Sequence, residues 1–311
     1  MTSMSLLSND ELSNIFYGAR PAMDEIFGFL HMSRTGQPDT AVPHSSQTLA
    51  LDVFGTLKFA RSRDQICDHL AVLLEVPAGR PWDVHLEYVD PDNMLNEAGH
   101  KSQFDVLLQG KQSLIALECK FAETKLEPCS QPGKTAKGHV QCTGNYEMQT
   151  NPVNRRDAFC ALTGKNVRYW EYVPHVFRFS ADEPHHPCPF ASPWYQWMRT
   201  LVMACALAEK RHLKPVAGLV HVDRSTMPLH TRIRDEVPRI QQALTGAVGL
   251  VLLRYEKLPG LFEVAAEPDE QGMFRDLQHW VNAKVNWVEA RLMNDRAARR
   301  PARSDARRRR S

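Results

Sequence analysis

A chain of 311 residues with 43% hydrophobic and 24% charged content is built for one large or two small globular domains, and is neither fibrous nor disordered in composition. Its net charge of +2, from 38 basic and 36 acidic residues, does not by itself mark a nucleic-acid binder. No run reaches the roughly 18 apolar residues of a membrane span, and the opening MTSMSLLSNDEL lacks the basic-then-apolar pattern of a signal peptide, so a cytoplasmic protein without membrane contact is expected.

Asn9-Asp10-Glu11 reads as a helix start, and apolar positions recur at Leu12, Ile15, Phe16, Met23, Ile26, Phe27 and Leu30, broken near Pro21. Residues 33–44 are loop. Ser45-Ser46-Gln47 caps a second helix carrying Leu49, Leu51, Val53, Phe54 and Leu57. A third helix spans about Ser62 to Leu74. Trp82 to Val89 alternates polar and apolar residues, as a half-buried strand does. Two more strands follow, Phe104–Leu108 and Ser113–Phe121, around the turn Gln109–Gln112. Short connections make an antiparallel meander the simplest arrangement of the three. From Thr124 to Ser192 periodicity fades, and an irregular insertion with a short helix near Arg155–Leu162 is expected. Beyond it the pattern predicts a helix over Trp194–Arg211, a strand over Pro215–Val222, a helix over Ile233–Leu244, a strand over Val248–Tyr255 and a final helix over Met273–Leu292. The expected fold is α/β: a mixed central β-sheet flanked by helices, plus an irregular Cys/His-containing insertion. We expect one domain over 1–295, with a helical part over 1–76, a core over 77–260 and a closing helix over 273–292. Eight arginines between Arg296 and Arg310 suggest a disordered tail over 296–311, either with sequence-independent attraction for phosphates or simply solvated with no role.

The stretch Ser102–Glu123 carries the chemistry. Asp105, Glu118 and Lys120 interrupt two otherwise apolar strands, and a buried charge costs several kcal/mol unless it is paired or binds a metal. Strand alternation puts Glu118 and Lys120 on one face, with Leu114 and Ala116, and turns Cys119 to the other with Ile115 and Leu117. A hairpin turning near Gly110-Lys111 sets Asp105 near Ala116, one diagonal step from Glu118. Two carboxylates converging with one ammonium suit a hard divalent cation, Mg²⁺ or Mn²⁺, with the backbone carbonyl of Cys119 as a further oxygen. Lys120 would neutralise developing phosphorane charge or position the attacking water. That set fits phosphodiester hydrolysis.

The pattern of Asp105, thirteen positions, then Glu118-Cys119-Lys120 resembles the PD-(D/E)XK nuclease superfamily, whose fold is restriction-endonuclease-like. Phe104 stands where that superfamily has Pro. The segments His44-Ser45-Ser46-Gln47, Phe54-Gly55, Phe121-Ala122-Glu123, Cys188-Pro189-Phe190 and Tyr195-Gln196-Trp197-Met198-Arg199 are similar to an uncharacterised bacterial branch, over roughly 44–222. The resemblance implies a Mg²⁺-dependent nuclease and supplies no substrate; the expected partner is nucleic acid, DNA rather than RNA, which would make the chain a deoxyribonuclease. The resemblance also implies a role for Glu87, since an upstream acidic residue completes the metal site in many nucleases of this fold; as a strand residue it reads equally as an exposed glutamate. Gln47 could reach a phosphate or a metal-bound water, or merely open its helix. Gln196 and Arg199, three positions apart on one helix face, are candidate substrate contacts or plain surface residues.

Seven cysteines in a chain expected to be cytoplasmic argue for free thiols or a metal site over a disulfide framework. Cys129, Cys142, Cys160 and Cys188, with His139, His185 and His186 nearby, could hold Zn²⁺ or an iron–sulfur cluster, as some nucleases of this superfamily do. Their wide spacing and the lack of any CxxC also fit free thiols. Cys67, Cys119 and Cys205 read as packing residues. The alternative function is a catalytically inactive nucleic-acid-binding or protein-interaction module that retains the nuclease fold.

Overall fold

The computed structural model describes residues 14–29, 38–99, 101–126, 128–131, 160–178 and 194–299, together with 135–136, 139–140, 142, 188 and 190. Its centre is a five-stranded mixed sheet. Strands β1 (Asp83–Val89), β2 (Gln103–Gln109) and β3 (Ser113–Cys119) form the antiparallel meander expected from their short connections. Strands β4 (Lys214–His221) and β5 (Gly249–Arg254) then continue from β3 in parallel, giving the order β1-β2-β3-β4-β5. All seven residues of β3 are buried, as the middle strand of a sheet covered on both faces must be.

Alternation along β3 sends its two sets of side chains into two separate cores. Ile115, Leu117 and Cys119 join Val106, Leu108, Val216 and Val220 on one face. That face is covered by helix α1 (residues 46–59), by α2 (Arg63–Leu73), by α6 (Leu258–Ala265) and by the inner side of α7 (Gln271–Arg299). Helix α1 runs on through Ser46–Ala50, a π turn Leu51–Gly55 and Thr56–Phe59, and Ser45 Oγ caps it by accepting from the Thr48 amide at 3.3 Å. Leu114 and Ala116 join Leu107, Ala217 and Leu219 on the other face. There the cover is α3 (Tyr169–Val176), α4 (Trp194–Arg211) and α5 (His230–Ala243).

Several elements depart from expectation. The N-terminal helix is instead a succession of short turns, Tyr17–Ala22, Met23–Ile26 and Phe27–Phe29, because Pro21 removes an amide donor in mid-segment; residues 9–13 and Leu30 lie outside the described residues. Helix α3 arises inside the stretch read as irregular. Its Tyr169, Trp170, Val173 and Val176 do recur at helical spacing, and Pro174 obscured the pattern. Helix α6 was unforeseen because Pro259 and Gly260 stand in its first turn, where proline is in fact well tolerated. Of the helix expected near Arg155–Leu162, residues 151–159 lie outside the described residues, and Cys160 to Leu162 are not helical. Helix α7 is longer than expected and takes in residues 296–299, the first of the stretch read as a disordered tail. Among the described residues, no helix is long and apolar enough to cross a membrane.

A buried polar tie joins the two ends of this arrangement. Asp52, in the π turn of α1, is fully buried and accepts from the Phe16 amide at 2.7 Å, from Trp280 Nε1 at 2.8 Å and from Lys284 Nζ at 2.6 Å. Lys284 also donates to the Asn14 carbonyl at 2.6 Å.

Candidate active site

The register of the β2–β3 hairpin fixes the site. Val106 pairs with Leu117 and Leu107 with Ala116, so the next step along the ladder sets Asp105 directly against Glu118. The sequence expectation of Ala116 opposite Asp105 is two positions off. The Gly110 amide donates to the Ser113 carbonyl at 2.9 Å, which makes Lys111-Gln112 the loop pair and shifts the pivot one residue onward. On the far side of β2, Leu86 pairs with Val106 and Tyr88 with Phe104, so Glu87 faces Asp105 in turn. Glu87 has φ +52, a left-handed conformation rare for a non-glycine residue in a strand and typical of sites where packing overrides local preference.

These groups line one cavity of about 260 Å³, together with Lys101, Ser102, Gln103, Gln196, Arg199 and Thr200. Asp105, half-buried, accepts from the Cys119 amide through Oδ2 at 2.6 Å. Burial, and next to it the Glu118 charge, pushes the Asp105 carboxyl well above the usual carboxylate range; Glu87 adds to the push, while Lys120 and the Cys119 amide oppose it. Glu118, 7% exposed, accepts from Lys120 Nζ at 2.7 Å and from Gln196 Nε2 through the same Oε1. Its Oε2 faces the Thr200 hydroxyl at 3.4 Å. Burial works against the Lys120 charge, but Glu118, Asp105 and Glu123 outweigh it and hold the ammonium above its ordinary pKa. Lys120 itself lies one residue past β3, and its amide donates to the Val220 carbonyl at 2.8 Å, which extends the β3–β4 pairing to the site's edge.

The other sequence-derived residues divide into two groups. Gln47 reaches Glu87, donating from Nε2 to Oε1 at 2.6 Å, and also donates to the Phe29 carbonyl at 3.0 Å. Gln103 donates to Glu87 Oε2, so the two amides clamp this carboxylate from opposite sides. Gln196 likewise engages a carboxylate of the site. Arg199 lies in the cavity wall, its Nε donating to Ser102 Oγ at 3.1 Å and its guanidinium 3.7 Å from Glu97. Glu97 is buried, and it also accepts from Ser102 Oγ at 2.7 Å and from the Tyr169 hydroxyl. Gln103, Thr200, Glu97 and Ser102 are site residues that sequence reasoning missed. Only Ser102 and Gln103, beside Asp105, carried a positional hint.

The donor set fits a hard cation. It offers carboxylate oxygens with no thiol or imidazole, since the Cys119 side chain points into the opposite core. Among the described residues, no three His, Cys, Asp or Glu side chains group closely enough to hold a metal ion. The fit is therefore to two carboxylates completed by water and substrate oxygens, the usual manner of Mg²⁺, and not to a closed protein cage. Cys129, Cys142, Cys160 and Cys188 are partly buried, and the Cys129 amide donates to the Phe190 carbonyl at 3.0 Å. His185 and His186 lie outside the described residues. Cys67 and Cys119 are buried in the first core, and Cys205 packs against the second.

Residues 30–218, more than half of the chain, match the model of a protein family described as restriction endonuclease associating with ARP. The match takes in β1 to β3, α4 and every residue of the cavity. No curated protein and no solved structure matches the chain.

Proposed function

Because the chain belongs to this restriction endonuclease family, we propose that it is a metal-dependent nuclease of the PD-(D/E)XK type that hydrolyses phosphodiester bonds of DNA. The observation that carries this reading is Asp105 opposed to Glu118 across β2–β3, both lining a cavity with Arg199, and Lys120 Nζ 2.7 Å from Glu118.

Asp105 and Glu118 would hold Mg²⁺ or Mn²⁺, with the Cys119 carbonyl as a further oxygen. When bound, the cation supplies Lewis acidity at the phosphoryl group and makes water easier to deprotonate. The Cys119 amide fixes the direction of the Asp105 carboxylate, and Gln196 with Thr200 fixes that of Glu118. Lys120 stays protonated and directs its ammonium at the charge that develops on the phosphorane oxygens. Arg199, braced from behind by Glu97 and Ser102, offers a guanidinium to a neighbouring phosphate. Gln47 and Gln103 hold Glu87 beside Asp105, where its charge adds to the field that attracts the cation.

Supercoiled and linear DNA incubated with Mg²⁺ tests the reading, with RNA in parallel. Asp105→Asn keeps an acceptor for the Cys119 amide and should fold, yet lose cleavage by at least about 100-fold. Lys120→Ala should do the same. Cleavage retained by a clean Lys120→Ala preparation with a wild-type circular dichroism spectrum would overturn the assignment.

A further inference from the structure

Glu118 is a heavily engaged carboxylate of the cavity. Its Oε1 takes both Lys120 Nζ, at 2.7 Å, and the Gln196 amide, and Thr200 covers Oε2. Of these three donors only Lys120 is charged. Its side chain is 12% exposed and that of Glu118 9%, so the pair is withdrawn from water and little screened. The three donors also differ in freedom. Gln196 and Thr200 sit one turn apart on α4, and the single Thr200 hydroxyl proton is shared between the Gln196 carbonyl at 3.2 Å and Glu118 Oε2 at 3.4 Å. Lys120 lies beyond the end of β3 on a four-carbon stem, which can change rotamer without moving the sheet.

A divalent cation and an ammonium cannot share one carboxylate oxygen in a buried cavity without strong mutual repulsion. From this geometry we infer that Lys120 is a built-in competitor for the metal: it neutralises Glu118 in the metal-free chain and is displaced from Glu118 when the cation enters. The inference rests on the metal reading above and adds a coupling to it. Loading the cation and freeing the ammonium for the substrate phosphate become one event. The same device explains how the buried Glu118 carboxylate is tolerated opposite Asp105 in the metal-free fold, since Glu118 is never left without a counter-charge.

The test is Mn²⁺ binding to the full chain, followed by electron paramagnetic resonance or calorimetry, with no substrate present. Lys120→Gln keeps a neutral donor and removes the charge; it should bind Mn²⁺ with a Kd at least about tenfold lower than wild type. Lys120→Arg keeps the charge and should stay within about threefold of wild type. Glu118→Gln should lose the site. If Lys120→Gln binds no tighter than wild type while Glu118→Gln still abolishes binding, the displacement is wrong and the metal site stands. If Glu118→Gln binds as wild type does, both fail. A measurement on the wild-type chain covers the case in which Lys120→Gln does not fold. Acetic anhydride labelling, read by peptide mass spectrometry, should rise several-fold at Lys120 when Mg²⁺ saturates the site, and unchanged labelling overturns the inference.

Discussion

Single side chains in this protein are recognisable by what burial costs them. His221, at the end of β4, is 3% exposed, and among the described residues its Nδ1 has no hydrogen-bond partner. Burial lowers its pKa below the ordinary imidazole value of about 6.5, against the upward pull of the Asp223 charge. The folded state therefore holds His221 neutral where the unfolded chain would already bind a proton. Stability is intact above about pH 6.5, falls as the pH drops through that value, and levels off below the folded pKa, at about 1.4 kcal/mol per unit of difference. His85, on β1, is lowered mainly by burial too and adds to the slope. Denaturant midpoints compared at pH 7.5 and 5 should show the loss, and His221→Gln should make it smaller. The same logic made Asp105, Glu118 and Lys120 legible in the sequence, because charges inside apolar strands stand out against their neighbours. Gln103, Thr200 and Glu97 did not stand out. They are ordinary polar residues whose roles exist only once α4 and the β1–β2 connection come together over the sheet.

Elements were legible where periodicity was uninterrupted. The helix Trp194–Arg211 has the bounds its sequence predicts, while α3 and α6 were hidden by prolines that the helices accommodate. The β2–β3 turn shows a different limit, since its pivot depends on a contact from elsewhere. The Lys111 amide donates to the Gly79 carbonyl at 2.9 Å, which pulls the turn against the segment before β1. A Cβ on Gly110 would lie 2.8 Å from that same carbonyl and 2.9 Å from the Trp82 ring. Neither neighbour can give way easily, as Trp82 is fully buried and its Nε1 is tied to Asp68 at 2.7 Å. Gly110→Ala should accordingly destabilise the fold by about 1–3 kcal/mol, read from urea unfolding. It should also lower cleavage through a displaced Asp105.

Across the molecule, α7 works as a clasp, carrying Trp280 and Lys284 back to Asp52 and to the N-terminal segment at Phe16 and Asn14. Lys284→Met would strand a fully buried carboxylate that still accepts from the Phe16 amide and the Trp280 indole but has lost its counter-charge. A loss of about 3–5 kcal/mol is expected, measurable as a large fall in the urea midpoint. Asp52→Asn combined with Lys284→Met should recover part of it, since no uncompensated charge then remains. Nothing in the separate sequences of α1 and α7 announced this tie, because it joins residues more than two hundred positions apart.

The register that opposes Asp105 to Glu118 is the same one that sorts β3 between its two cores. A slip of one residue would turn Glu118 and Lys120 toward the face of Ile115 and Leu117, and would force those large side chains into the cavity. Hydrophobic closure and alignment of the carboxylates thus stand or fall together. The core proofreads the site: a chain that has collapsed in the wrong register is too unstable to persist as a misassembled enzyme, so the population that stays folded is the one whose acidic pair is correctly opposed.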